Sequence, residues 1–360
     1  MTAPLSGEGA ASQGPSRVLI WGAGAIGGTL GAYLARAGHD VTLVDREAAH
    51  VQAIREGGLS LTGPIEEFRV SPPAFTPDEV QGQWPLALLC TKAQHTREAG
   101  EALLPHVAPD GHVISVQNGL NPLILNDLFG EARVLGSFVN FGADYLEPGV
   151  IHFGGRGAMV VGEQNGEKSE RAGEVQRLLQ DFEPQALLSD NVMGFLWGKL
   201  GYGGLLFATA LTNDGIADAL ERTEDQAIYR ALGREAMQVA AAHGVRPEGF
   251  NGFDPQAFSP AGSDEQVARS LADMVAFNRR SAKTHSGIWR DLAVRKRRTE
   301  VDAQMGWVAH FGEQHGVPTP VTGKVIQMVH EIEEGRRPLG HANLEELAAF
   351  LAGASGTEGP

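Results

Sequence analysis

One cysteine in 360 residues excludes an internal disulfide framework and any metal cluster built on thiolates. That residue, Cys90, ends an apolar run, Leu-Ala-Leu-Leu-Cys, and reads as a small buried core side chain rather than a nucleophile. No apolar run approaches the ~18–20 residues that a membrane span needs. Residues 1–16 are rich in Ser, Gly and Ala but lack the basic start and apolar core of a secretory signal, so they read as a disordered tail. A cytoplasmic location follows as the default expectation. Positive charge is scarce: 29 Lys and Arg face 44 Asp and Glu, for a formal net charge of −15. Long-range repulsion then opposes encounter with nucleic acid or an anionic membrane surface. The 12 histidines form neither a His-Glu-x-x-His helix nor a compact His/Asp cluster, and no metal is expected.

What is present is an ordinary globular composition, 42% hydrophobic and 20% charged, in a chain long enough for two domains with separate cores. Its organising stretch is 17–46. An apolar strand over 17–21 runs into Gly22-Ala23-Gly24-Ala25-Ile26-Gly27, an amphipathic helix follows to about residue 37, Gly38 closes it, and 41–44 is a second apolar strand. Gly22 allows a sharp turn, Gly24 lets backbone N–H groups approach a pyrophosphate, and Gly27 lets the helix pack closely on the sheet. Strand, glycine loop, helix and second strand in this order predict a dinucleotide site. Asp45, ending the second strand, suits the ribose hydroxyls of NAD. Arg46 beside it suits the 2′-phosphate of NADP, and both readings stand on the sequence.

Further along, 48–56 reads as a helix and 59–70 as a hairpin about Thr62-Gly63-Pro64. Buried strands are expected at 84–90, 112–116 and 134–140, a helix at 98–107, and a hairpin pairing 149–153 with 158–162. Alternation of strands and helices gives a mainly parallel, doubly wound sheet, whose ligands bind beyond the C-terminal strand ends. Lys92 and Asn118 follow two such ends. Past about residue 190 only helical periodicity remains, at 196–211, 225–243, 265–277, 288–315 and 322–334, with a Gly/Pro/Ser-rich connection at 250–264. The division expected is a tail 1–16, a nucleotide-binding domain 17–190, a helical domain 191–350 and a tail 351–360.

Several features in order resemble the ketopantoate reductase (2-dehydropantoate 2-reductase) family over about 17–338. They are Gly22–Gly27, Cys90-Thr91-Lys92, Gln117-Asn118-Gly119, Trp197-Gly198-Lys199-Leu200, Arg298-Thr299-Glu300-Val301-Asp302 and Gly316-Val317-Pro318-Thr319-Pro320. The resemblance implies an α/β fold, an N-terminal Rossmann domain followed by an all-helical C-terminal domain, with the active site in the cleft between them. It also implies NADPH as cofactor, a small 2-oxo acid as substrate and a homodimer. Lys199 lies in an apolar helix with no acid near it in sequence; it either snorkels outward or sits in a cleft, where desolvation would lower its pKa and suit it to give up a proton at neutral pH. In the family that position is the general acid. Glu300 matches the acid that meets the substrate hydroxyl or the lysine, while Asn118 and Lys92 match positions contacting cofactor and substrate. The basic run 295–298 reads as a solvated face.

The chain departs from the family's pattern on the substrate side. Asparagines expected four and eight residues beyond the lysine are replaced by Gly203 and Phe207, and the latter predicts a more crowded, apolar pocket. At the usual carboxylate-binding serine stands Gly287, with Ser286 and His285 adjacent, so Ser286, Lys283 or Arg290 becomes the candidate anchor. Reduction of 2-dehydropantoate to pantoate is the leading reaction. A bulkier 2-oxo acid, an opine-type dehydrogenation and a non-catalytic dinucleotide-binding regulator are the alternatives.

Overall fold

The computed structural model describes residues 16–280 and 284–355. Most of the expected N-terminal tail, the last five residues and Lys283 lie outside the described residues. In chain order the strands are β1 (Arg17–Trp21), β2 (Asp40–Val44), β3 (Leu59–Thr62), β4 (Phe68–Val70), β5 (Ala74–Phe75) and β6 (Trp84–Leu89). They continue with β7 (Val107–Ser115), β8 (Val134–Val139), β9 (Gly142–Glu147), β10 (Val150–Gly155), β11 (Met159–Gly162) and β12 (Leu187–Leu188). Between them run helices α1 (Ala25–Arg36), α2 (Ala48–Gly57), α3 (Thr96–Leu103), α4 (Asn121–Phe129) and α5 (Glu170–Gln180).

An eight-stranded sheet has the order β12-β11-β8-β7-β6-β1-β2-β5. The run from β8 to β5 is parallel throughout, and only the β8–β11 pairing is antiparallel. Central strands such as β1 and β8 are apolar along almost their whole length, as burial on both faces requires. A second sheet, β4-β3-β10-β9, packs over α1. Here the expected hairpin of 149–153 with 158–162 is corrected. β10 pairs with β9 in the small sheet, whereas β11 pairs with β8 in the large one. Ile151 and Phe153 of β10 fit the small-residue face of α1, where Gly28 and Tyr33 receive them, and this draws β10 away from its sequence neighbour.

After β12 the described residues are helical: α6 (Val192–Thr209), α7 (Ile216–Glu221), α8 (Gln226–Ala242), α9 (Asp264–Arg279), α10 (Gly287–Trp289), α11 (Val301–His315), α12 (Pro320–Glu333) and α13 (Ala342–Ser355). Two expectations are corrected. The residues just after 350 are the end of α13, whose Leu344 and Leu347 are fully buried, rather than a tail. The helix expected over 288–315 is broken: α10 runs into a π-helical turn, Arg290–Val294, and an irregular stretch precedes α11. The buried Asp291 causes the break. Its carboxylate takes the guanidinium groups of Arg295 and Arg297, and its carbonyl accepts the Arg297 N–H at 3.0 Å, so the chain wraps around it. The basic run is therefore partly spent on a buried acid.

α6 is the axis of this half. It is apolar almost all round, packs against α8, α11 and α12, and also touches β8 and β11 of the sheet. Lys199 is its one charged residue. Glu235 of α8, 7% exposed, accepts the N–H groups of Val321 and Thr322 at 2.8 and 2.7 Å, capping α12 behind Pro320. Glu235→Ala strands two buried donors and should cost about 1–3 kcal/mol, read as a lower urea midpoint. An unchanged midpoint would show that the cap contributes nothing.

Candidate functional site

The glycine loop follows β1 closely. Gly22 has φ +98°, and a methyl group there would lie 2.9 Å from the Thr91 nitrogen at the end of the neighbouring strand. The Gly22 and Ala23 N–H groups donate to the Val44 carbonyl at 2.8 and 3.2 Å, which locks the loop to β2. A side chain at Gly27 would collide with the Gly22 carbonyl and lie 2.8 Å from the Cys90 Cβ. Cys90 is thus a spacer beneath α1, and desolvation pushes its thiol pKa up. Gly24 differs: nothing lies within 4 Å of a methyl group placed there. No side chain caps α1 and no acid stands in its first turn, so its positive end is unobstructed. At the end of β2, Asp45 accepts the Glu47 N–H at 2.9 Å, and Arg46 is exposed.

Three parallel strands end near one another opposite α6 and α11. After β6, the Lys92 ammonium lies 2.9 Å from Glu300 Oε2, and the Ala93 N–H donates to Glu300 Oε1 at 2.8 Å. Lys92 also lies 3.7 Å from Asp291. After β7, Gln117 donates to the Thr91 carbonyl at 3.0 Å and to the Thr96 hydroxyl at 2.9 Å, tying two strand ends together. The following Asn118 is half-buried, and among the described residues its side-chain amide makes no hydrogen bond. A side chain at Gly119 would strike the Ala303 carbonyl, so this loop rests on α11 itself. At the end of β8, the Val139 carbonyl accepts a hydrogen bond from Lys199 Nζ.

Lys199 is partly buried, with its amine 5.1 Å from the centre of the Phe138 ring. Burial lowers its pKa to about 8, and the Glu300 carboxylate works the other way. The structure therefore brings Lys92, Asn118, Lys199 and Glu300 to one region where strand ends meet helices. Its chemistry is that of a poised amine beside a fixed carboxylate.

Other expected residues fall elsewhere or hold other contacts. Phe207 has no exposed surface and belongs to the helical core, so it crowds no accessible pocket. Ser286 is 5% exposed and accepts the Trp289 N–H at 3.1 Å as a helix cap. Arg290 is paired with Asp144 at 2.8 Å, and the His285 ring packs at a tilt against Trp289. No side chain fills the surroundings of Gly287. Among the described residues no group of His, Cys, Asp and Glu has the arrangement of a metal site. Two side chains close to the site had no role assigned from the sequence. Asp291 was masked by the basic run around it. Gln304, four residues beyond Glu300, shares its helical face and lies opposite Gly203, which sequence spacing alone could have indicated.

The model of the ketopantoate reductase PanE/ApbA family matches residues 18–166, and that of its C-terminal region matches 191–333. The chain belongs to the ketopantoate reductase family. The 2-dehydropantoate 2-reductase of Streptococcus pyogenes serotype M3 is 26% identical over 318 residues, covering 88% of this chain and 97% of the relative. A PanE/ApbA family ketopantoate reductase from Ralstonia eutropha JMP134 superposes with a TM-score of 0.75 at 29% identity, covering 89% of this chain and 99% of the other. D-mandelate dehydrogenase, solved with NADH and anilino(oxo)acetate, shares the fold with a TM-score of 0.78 at 22% identity, covering 89% and 99%. As a ketopantoate reductase family member the chain is an oxidoreductase that acts on a CH–OH group. The two family models cover the sheet-bearing and the helical halves in turn, and no helix among the described residues is long and apolar enough to cross a membrane.

The two glycines of the loop should separate in their effect on stability. Gly27→Ala overpacks against a strand-end backbone and should cost about 1–3 kcal/mol or more. Gly24→Ala should melt like the unsubstituted protein, and equal melting of both variants would contradict the packing described.

Proposed function

We propose that this protein reduces a 2-oxo acid to the 2-hydroxy acid at the expense of a reduced nicotinamide dinucleotide, with 2-dehydropantoate to pantoate as the reaction. The observation that carries the reading is the Lys199 amine on apolar α6, bonded to the Val139 carbonyl at a strand end within the field of Glu300, where burial lowers its pKa to about 8. An amine so poised is protonated at neutral pH yet gives up its proton without a large penalty. The open space at Gly24 and the uncapped start of α1 fit a pyrophosphate, which the N–H groups of Ala25 and Ile26 would hold. The chemistry a dinucleotide held by that loop would supply is the hydride. Lys199 supplies the proton that the carbonyl oxygen takes as the bond order falls. Asn118, with its amide unengaged, would orient the ring or the substrate. Lys92 would act through Glu300, fixing the carboxylate that faces the amine. NADPH is our reading of the cofactor, with Arg46 on its 2′-phosphate. NADH is the second reading, favoured by Asp45.

The test is the initial rate of NADPH and of NADH oxidation with 2-dehydropantoate and a short series of other 2-oxo acids. Turnover should appear with at least one pair, and Gly24→Ala should weaken cofactor binding while leaving melting unchanged. No oxidation of either cofactor with any 2-oxo acid would overturn the proposal. Lys199→Met should lower kcat by about 10²–10⁴-fold in a folded protein. The proton donor must be protonated to work, so reduction should be level below pH about 8 and fall roughly tenfold per unit above it, with oxidation of the 2-hydroxy acid rising instead. A reduction rate that stays level to pH 10 would exclude Lys199 as the donor.

A further inference from the structure

Gln304 stands out in the helical half because it is mostly buried yet its carboxamide is unengaged. Its side chain is 8% exposed, and among the described residues its carboxamide makes no hydrogen bond. Its amide atoms are not among the fully buried unpaired ones, so the carboxamide keeps some accessible surface and is free to take a partner. It sits one helical turn beyond Glu300 on α11. Facing it on α6 is Gly203, one turn beyond Lys199, where a methyl group would come within 3.3 Å of Gln304 Oε1 and meet nothing else within 4 Å. The glycine therefore leaves room in front of the Gln304 carboxamide, one helical turn along from Lys199 on α6 and from Glu300 on α11.

We propose that Gln304 selects the substrate, its carboxamide binding a hydroxyl carried on the carbon chain beyond the oxo carbon. This rests on the reduction of 2-oxo acids proposed above and adds the residue that reads the rest of the molecule. A hydroxyl both donates and accepts, which matches the two ends of a carboxamide. The substrate's own carboxylate is a poorer occupant, because Glu300 one turn away would repel it. Lys199 is engaged with the oxo oxygen. A site that hydrogen-bonds a substrate hydroxyl discriminates against an analogue lacking it. The occupant is thus a hydroxylated 2-oxo acid rather than a bulky apolar one.

The experiment compares kcat/KM for 4-hydroxy-3,3-dimethyl-2-oxobutanoate and for 3,3-dimethyl-2-oxobutanoate, which differ by one hydroxyl, in the unsubstituted protein, Gln304→Met and Gly203→Ala. Methionine keeps length and volume while removing the amide. The unsubstituted protein should prefer the hydroxylated acid. Gln304→Met should lower kcat/KM for that acid by about tenfold to a hundredfold, mainly through KM, and change the other by less than about threefold. Gly203→Ala narrows the gap from the opposite helix and should erode the preference in the same sense, which keeps the test alive if Gln304→Met does not fold. Equal losses on both acids, or no loss on either, would overturn the role of Gln304 while leaving the reductase reading intact. An unsubstituted protein that turns over no 2-oxo acid would overturn both.

Discussion

One carboxylate takes both its partners across the joint between the two halves of this molecule. Glu300 begins α11 in the helical half, yet both its oxygens are satisfied from the sheet half, one by the Lys92 ammonium and one by the Ala93 N–H. At 9% exposure it needs both, because a buried carboxylate with a missing partner is strongly destabilising. This contact fixes where α11 starts. It thereby fixes what lies one turn further on and how the Asn118 loop rests against the helix. The irregular stretch before α11 exists to deliver Glu300 to this place, with Asp291 and its arginines folding the chain back on itself.

The second constraint is the burial of Lys199. An apolar helix that is covered on nearly every side would ordinarily exclude a charge, and desolvation does pull the amine well below the usual lysine range. Two things keep it chargeable. Glu300 lends a negative field, and the Val139 carbonyl at the end of β8 accepts its N–H. Proton donor, carboxylate and strand ends are thus parts of one electrostatic arrangement. Moving Glu300 would disturb the amine as well as the joint.

Much of this was legible in the sequence, for identifiable reasons. The Gly22–Gly27 loop is dictated by local backbone sterics, and local constraints survive in a one-dimensional reading. Lys199 was conspicuous because a lone charge in an apolar helix has few explanations. What escaped was set by tertiary pairing. β10 and β11 are adjacent in sequence but join different sheets, since Ile151 and Phe153 are claimed by α1. The break before α11 was hidden because helical periodicity runs straight through a stretch whose geometry is decided by Asp291. Phe207 was assigned to the pocket from its spacing to Lys199, but the helical core takes its side chain. Gln304 needed the opposing glycine to be seen, and only the packing of α6 on α11 brings the two together.

The central claim is that the fold holds the Lys199 amine near its protonation midpoint. The most direct measurement is NMR titration of protein labelled at the lysine Cε carbons, with Lys199→Arg to assign the resonance. The account predicts one lysine titrating at about pH 8 in the unsubstituted protein and missing from the variant. A Lys199 resonance that titrates with the other lysines, at the ordinary value of about 10.4, would contradict it.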